Sequence, residues 1–322
     1  MGEKKRTMKA LVKVGEERGF SLQEIPVPEP GDSEVLVRVK AAAICGSDLK
    51  LHRWTPWCRE VGDAVAAETH IPCGRCWQCT HNRPHTCTGM ELFGHTVNGC
   101  FAEYFVIPEA AAWKLSGSYP LEQGCLLEPM GIPLRAVYGG EVAGDSVAVL
   151  GCGPIGQFAV GIARIRGADQ IIAIDVNDRR LAIARRMGAT ATVNPGKQSP
   201  VSRVLSLTAG EGAGTVIDAS GNDHALAEAF DYVRIGGTIF AIGHPPRPLS
   251  IDVSPKIILR EVKLAGLFGR ELWRTWEIAD SLLASGSLDT APIVTHRFSL
   301  DEQEKAFDAA ESGEGCKVVF TF

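Results

Sequence analysis

From about Gly144 onward the chain alternates strand and helix, and its first strand, SVAVL, runs straight into Gly151, Gly153 and Gly156 in G-x-G-x-x-G spacing. Few folds accept that arrangement. The runs QIIAID, TVIDAS, GGTIFAIG and VKLAGLFG follow, alternating with the helical stretches PIGQFAVGIARIRGA, DRRLAIARRMGA and HALAEAFDYV. Strands joined by crossover helices must lie parallel in one sheet with helices on its faces. The pattern therefore predicts an α/β, doubly wound parallel sheet of the Rossmann type, with room for six strands.

The glycine turn carries a chemical expectation as well. Gly151 permits the tight turn, Gly153 lets backbone approach a pyrophosphate, and Gly156 lets the helix pack closely on the strand. Pro154 suits the first helical position, and the N–H groups beyond it are left to meet phosphate. Asp175 ends the next strand at about the offset where an acid reads an adenosine ribose. A carboxylate some 4 Å from an added 2′-phosphate would be repelled by roughly 4 kcal/mol per charge pair at an effective dielectric near 20. Arg180 can lie on adenine or hold the ribose. The pair favours NAD over NADP.

Ahead of this unit, Met8 to Ile44 reads as short β runs broken by Pro and Gly. Then come Cys73, Cys76, Cys79 and Cys87 in the string CGRCWQCTHNRPHTC. Four thiolates at C-x2-C-x2-C-x7-C can close a tetrahedron around one zinc, which leaves no open position for substrate. That cluster predicts a structural zinc lobe and no chemistry of its own. The closing stretch THRFSLDEQEKAFDAAESGEGCKVVFTF returns to strand, helix, strand, and is expected to rejoin the first domain.

A formal net charge of -5 over 322 residues argues against a nucleic-acid or anionic-membrane surface, which needs concentrated positive charge. Lys13 interrupts the start before a secretory apolar core could form, and the sequence has no apolar run of spanning length. A cytoplasmic location is the expectation.

A β region with a cysteine lobe, this dinucleotide unit and a returning tail resembles the zinc-dependent medium-chain dehydrogenases. ICGSDLK (44–50), ETHIPCGRC (68–76), FAEYFVIP (101–108), GLFGRELWRTW (266–276) and THRFSLDEQEKAF (295–307) are most similar to the L-threonine 3-dehydrogenase branch. The resemblance implies a GroES-like β-rich catalytic domain over 1–139 and 293–322, a Rossmann NAD-binding domain over 140–292, and a homotetramer. It also implies oxidation of a small secondary alcohol, L-threonine to 2-amino-3-oxobutanoate, with a polyol or 2,3-butanediol as the alternative substrate. By position Cys45 matches a ligand of a second, catalytic zinc, Ser47 the hydroxyl beside it that relays the proton, and Glu128 a carboxylate near that metal. Ile155, Asp175, Arg180, Ile242, Gly243, His244, Leu267 and Phe268 match NAD-contact positions.

One part of the family pattern is missing. Members place a Gly-His-Glu motif between the equivalents of Cys45 and Cys73, whereas here LHRWTPWCRE runs directly into VGDAVAAETH. About a couple of dozen residues are lost around Cys58 to Val61, and Lys50 stands where the threonine dehydrogenases have a relay histidine. Cys45 and Glu128 supply at most two of the roughly three ligands a catalytic zinc takes. His52, His70 with Glu68, and His95 are the nearby substitutes. Either the sequence omits a segment the protein possesses, which the intact flanking pattern favours, or the gene product lacks it and the chain is a non-catalytic NAD-binding protein.

Overall fold

The computed structural model describes residues 6–15, 17–32, 34–44, 66–116 and 119–322. It divides into two compact units, Met1–Glu128 with Trp276–Ala284 and Val294–Phe322, and Pro129–Thr275 with Ser285–Ile293.

The first unit is built on short strands. β1 (Thr7–Val12) pairs antiparallel with β2 (Ser21–Pro26), and β3 (Glu34–Arg38) with β7 (Tyr104–Pro108). The period of two is visible in β7, where Phe105 and Ile107 are buried and their neighbours half-buried. β5 (His70–Ile71) and β6 (Glu91–Leu92) form a small ribbon beside the cysteine lobe. The C-terminal tail supplies β14 (Val294–Phe298) and β15 (Lys317–Thr321), which run parallel to each other, and β15 pairs antiparallel with β4 (Ala41–Ala43). Phe101, Phe105, Phe307 and Phe320 fill the core between them. Phe101 meets Phe320 edge-on at 5.2 Å, a favoured aromatic geometry.

The second unit holds β8 (Ser146–Leu150), β9 (Gln170–Ile174), β10 (Ala191–Val193), β11 (Ala213–Asp218), β12 (Val233–Ala241) and β13 (Lys263–Gly266). They form one sheet in the order β10-β9-β8-β11-β12-β13, parallel throughout. β10 has only three residues, too few to carry a periodicity of its own in the sequence. Val147 to Leu150 and Ile171 to Ile174 are buried, as near-continuous apolar strands must be when helices cover both faces. Asn177 and Asn222 cap the helices Asp178–Met187 and Asp223–Tyr232 through their side-chain oxygens. Gly188, at φ 113°, ends the first of these in the left-handed conformation. Strand order reverses between β8 and β11, and such a reversal opens a crevice at the strands' carboxyl ends. Among the described residues, no helix is long and apolar enough to cross a membrane.

Candidate functional site

The crevice of the second unit is lined by the turns that leave β8, β9, β11 and β12. Gly151, at φ 80°, makes the first turn. A Cβ on it would fall 2.6 Å from Ser220 Cα, and one on Gly156 would fall 1.9 Å from the Gly151 carbonyl oxygen. Neither position takes a side chain. Gly153 has open space in front of it and caps the helix Pro154–Ile165 with no side-chain hydrogen bond, so the first N–H groups of that helix remain available to an anion.

Asp175 sits just past β9 and is 8% exposed. Its Oδ2 accepts from Cys152 N at 2.7 Å and its Oδ1 from Asn177 N at 2.7 Å, which ties the glycine turn to the start of the next helix. Each oxygen keeps a lone pair for a hydroxyl. Arg180 Nε is buried and has no hydrogen-bond partner among the described residues, a donor whose chemistry fits a ribose oxygen or an adenine nitrogen. Gln157, fully buried, donates to the carbonyls of Cys152 and Arg180, both at 2.8 Å, and locks the same corner. These residues fit the adenosine half of a dinucleotide.

The other expected cofactor positions gather at the next strand ends. Ile242 N and Gly243 N both donate to Asp218 O at 2.9 Å, and Leu267 N donates to Ala241 O at 3.0 Å. Ile155 and Leu267 are half-buried, and His244 and Phe268 are exposed. Asp218 was not visible from sequence as a site residue. It is wholly buried, its Oδ1 accepts from Ser220 N and Oγ, and burial raises its pKa against the pull of those two bonds.

In the first unit, the Sγ atoms of Cys73, Cys76, Cys79 and Cys87 all lie within 4.8 Å of one another. Cys76 Sγ is 3.5 Å from Cys79 Sγ and 3.7 Å from Cys87 Sγ. A tetrahedron with Zn–S near 2.3 Å has sulfurs about 3.8 Å apart, so the four thiols fit zinc. Backbone N–H groups of Cys79 and Thr88 pull the Cys76 thiol down to about 5, towards the thiolate a metal binds. It is the one such metal-holding group among the described residues.

Cys45, Ser47, Lys50 and His52 lie outside the described residues, as does the join at Cys58 to Val61. Leading up to them, Lys317 Nζ, buried, donates to Ile44 O at 3.1 Å and anchors the end of that strand. Glu128 lies in the first turn of the helix Leu127–Gly139, and its Oε1 accepts from Thr69 Oγ1 at 3.2 Å. Glu68 proves to be a hub. It is 1% exposed; Oε1 lies 2.9 Å from His70 Nδ1 and accepts from His70 N at 3.0 Å, while Oε2 accepts from Trp276 Nε1 at 2.8 Å. No local signal in the sequence links Glu68 to Trp276, 208 positions away.

The fold, the glycine crevice and the thiol cluster agree with comparison to known proteins. Residues 154–285 match the zinc-binding dehydrogenase family model, and residues 57–117 match the alcohol dehydrogenase GroES-like domain. The chain belongs to the zinc-binding dehydrogenase family and is an oxidoreductase of the alcohol dehydrogenase type. It is 37% identical to L-threonine 3-dehydrogenase of Bacillus subtilis (strain 168), over 97% of this chain and 98% of that one. The alignment runs over 339 positions, more than the 322 residues here, so it crosses positions this chain does not fill. A short chain alcohol dehydrogenase of E. coli CFT073, solved with NADH, superposes with a TM-score of 0.88 at 26% identity, covering 98% of this chain and 99% of that one. A zinc-binding dehydrogenase of Sinorhizobium meliloti 1021, solved with NADP, gives 0.91 at 27%, covering 98% and 100%.

Proposed function

We propose that the protein oxidises a small secondary alcohol with NAD, and that the alcohol is L-threonine. The similarity to the Bacillus enzyme across 97% of the chain carries the substrate. For the cofactor, the support is Asp175: a buried carboxylate fixed by two backbone N–H groups can accept from ribose hydroxyls, and it repels the 2′-phosphate of NADP. NAD, when bound, supplies the hydride acceptor. Gly151, Gly153 and Gly156 would bring backbone N–H groups to the pyrophosphate, Arg180 would hold the adenosine, and Ile242, Gly243, His244, Leu267 and Phe268 would hold the other half.

On the substrate side, Cys45 and Glu128 are assigned to a second zinc that would polarise the alcohol oxygen as a Lewis acid. Ser47 and Lys50 are assigned to the outward passage of the proton. Assembly as a homotetramer in the cytoplasm belongs to the same proposal. The test is NADH formation by zinc-loaded protein with threonine, 2,3-butanediol and polyols, alongside zinc analysis. Threonine as the best substrate, with about two zinc ions per chain, supports the reading. Better turnover of butanediol or a polyol moves the substrate, and no turnover of any of them ends the enzyme claim for this sequence.

A further inference from the structure

The turn that follows β13 carries Leu267 and Phe268, and it is held from behind by the helix Leu127–Gly139. Two residues of that helix, one turn apart on the same face, do the holding. Arg135 Nη1 donates to the carbonyl of Phe268 at 2.6 Å and of Gly269 at 3.1 Å, and its Nε lies 3.6 Å from Glu271 Oε1. Gly131 provides the bed for the stem of Arg270, which is 6% exposed; a Cβ on Gly131 would fall 2.3 Å from Arg270 Cγ. Gly269, at φ 62°, turns the chain between the two contacts. The turn therefore cannot rise or fall against the sheet without breaking one contact or clashing at the other.

The height matters because of where the turn lies. Asp175 marks the adenosine end at β9, and β13 is four strands further along the sheet order, about 19 Å at ordinary strand spacing. A dinucleotide laid across the strand ends brings its second nucleotide to β12 and β13. We propose that Arg135, with Gly131 one helical turn before it, is the positioning residue that sets the Phe268 turn against the nicotinamide half of the cofactor. It touches no cofactor atom itself. The inference rests on the NAD reading above.

The test is calorimetric binding of NAD and of AMP to the full chain. AMP fills only the adenosine end and reports that the second unit is folded. Two variants act on the turn from opposite directions. Arg135→Met keeps the stem and removes the donor, and Gly131→Ala favours the helix while pushing on Arg270. Each is expected to raise the Kd for NAD about tenfold and leave that for AMP within about twofold. AMP weakening in step with NAD, or NAD binding unchanged in Arg135→Met, overturns the proposal. A wild-type chain that binds neither ligand removes the cofactor reading instead.

Discussion

The two chemically significant regions of this chain are written in different ways. The dinucleotide crevice is assembled from short local signals, each a few residues long and each at the end of a strand. The first unit instead joins residues far apart in sequence, the side chains of Glu68 and Trp276, and Lys317 with the carbonyl of Ile44. The contrast teaches that local motifs declare themselves from a few residues, whereas a site gathered from distant pieces does not show in any one stretch of the sequence. It also implies that the regions can be damaged separately, and variants provide the means to check that.

The largest effect is expected from Cys79→Ser. Three thiolates cannot close the tetrahedron, so zinc retained after dialysis should fall from about one ion per chain at this cluster towards none. Thermal unfolding should drop by roughly 10 °C or more, because metal binding and folding of the lobe are linked. AMP binding should persist. Loss of AMP binding together with zinc would break the separation.

Gly156→Ala is the matching lesion in the second unit. A methyl group 1.9 Å from the Gly151 carbonyl oxygen cannot be accommodated by a rotamer change, since the obstacle is backbone. Destabilisation of about 3 kcal/mol and a loss of AMP affinity beyond about a hundredfold are expected, with the zinc content unchanged. Equilibrium unfolding and zinc analysis on the same sample check both halves.

Much of the second unit could be read in advance. The glycines, the parallel sheet and Asp175 follow from a spacing whose steric reasons are local. Hidden from the sequence was the double duty of Asp175, which braces Cys152 N as well as facing the crevice, because that bond joins two turns 23 positions apart. The clamp of Gly131 and Arg135 on the Phe268 turn was hidden for the same reason. In the first unit the thiol cluster was plain from spacing, yet Glu68 read only as a possible ligand beside His70. Its engagement with Trp276 depends on where the helix Arg274–Ala284 places that ring. Cys45, Ser47 and Lys50, known here only by resemblance, lie outside the described residues.

Asp175→Asn sharpens the comparison within the crevice. The amide can accept from only one of the two N–H groups that the carboxylate serves, and it no longer repels a phosphate. AMP should bind about tenfold more weakly, while the preference for NAD over NADP should narrow by tenfold or more. Calorimetry with the three ligands separates the bracing role from the charge role. On the other side, Glu68→Gln should cost about 1–3 kcal/mol, since an amide group would face Trp276 Nε1 or His70 N in place of an acceptor. Denaturant unfolding followed by tryptophan fluorescence reads that loss, and AMP affinity should stay as in the parent.

The smallest effect distinguishes the two ends of the same sheet by its sign. Asp145, just before β8, is pushed up by burial, but Arg234, donating from Nη1 at 2.8 Å, and Ser146 N, donating at 2.6 Å, together outweigh this, and the pKa ends below the ordinary value. Its stabilisation is present above about pH 4 and is lost as pH falls through the lowered folded value. Because Arg234 is itself 36% exposed, solvent screening keeps the contribution below about 1 kcal/mol. Asp218, at the crevice end of β11, is raised by burial, so its contribution is present in acid and is lost as pH rises through the raised value. Stability measured against pH should therefore lose its acid-side fall in Asp145→Asn and its loss on the rising side in Asp218→Asn. The opposite slopes follow from position: the closed end of the sheet pairs its carboxylate with an arginine, whereas the cofactor end buries one whose side-chain oxygens meet, among the described residues, only Ser220 donors, consistent with stability yielding to function there. Equal slopes in the two variants would remove that distinction.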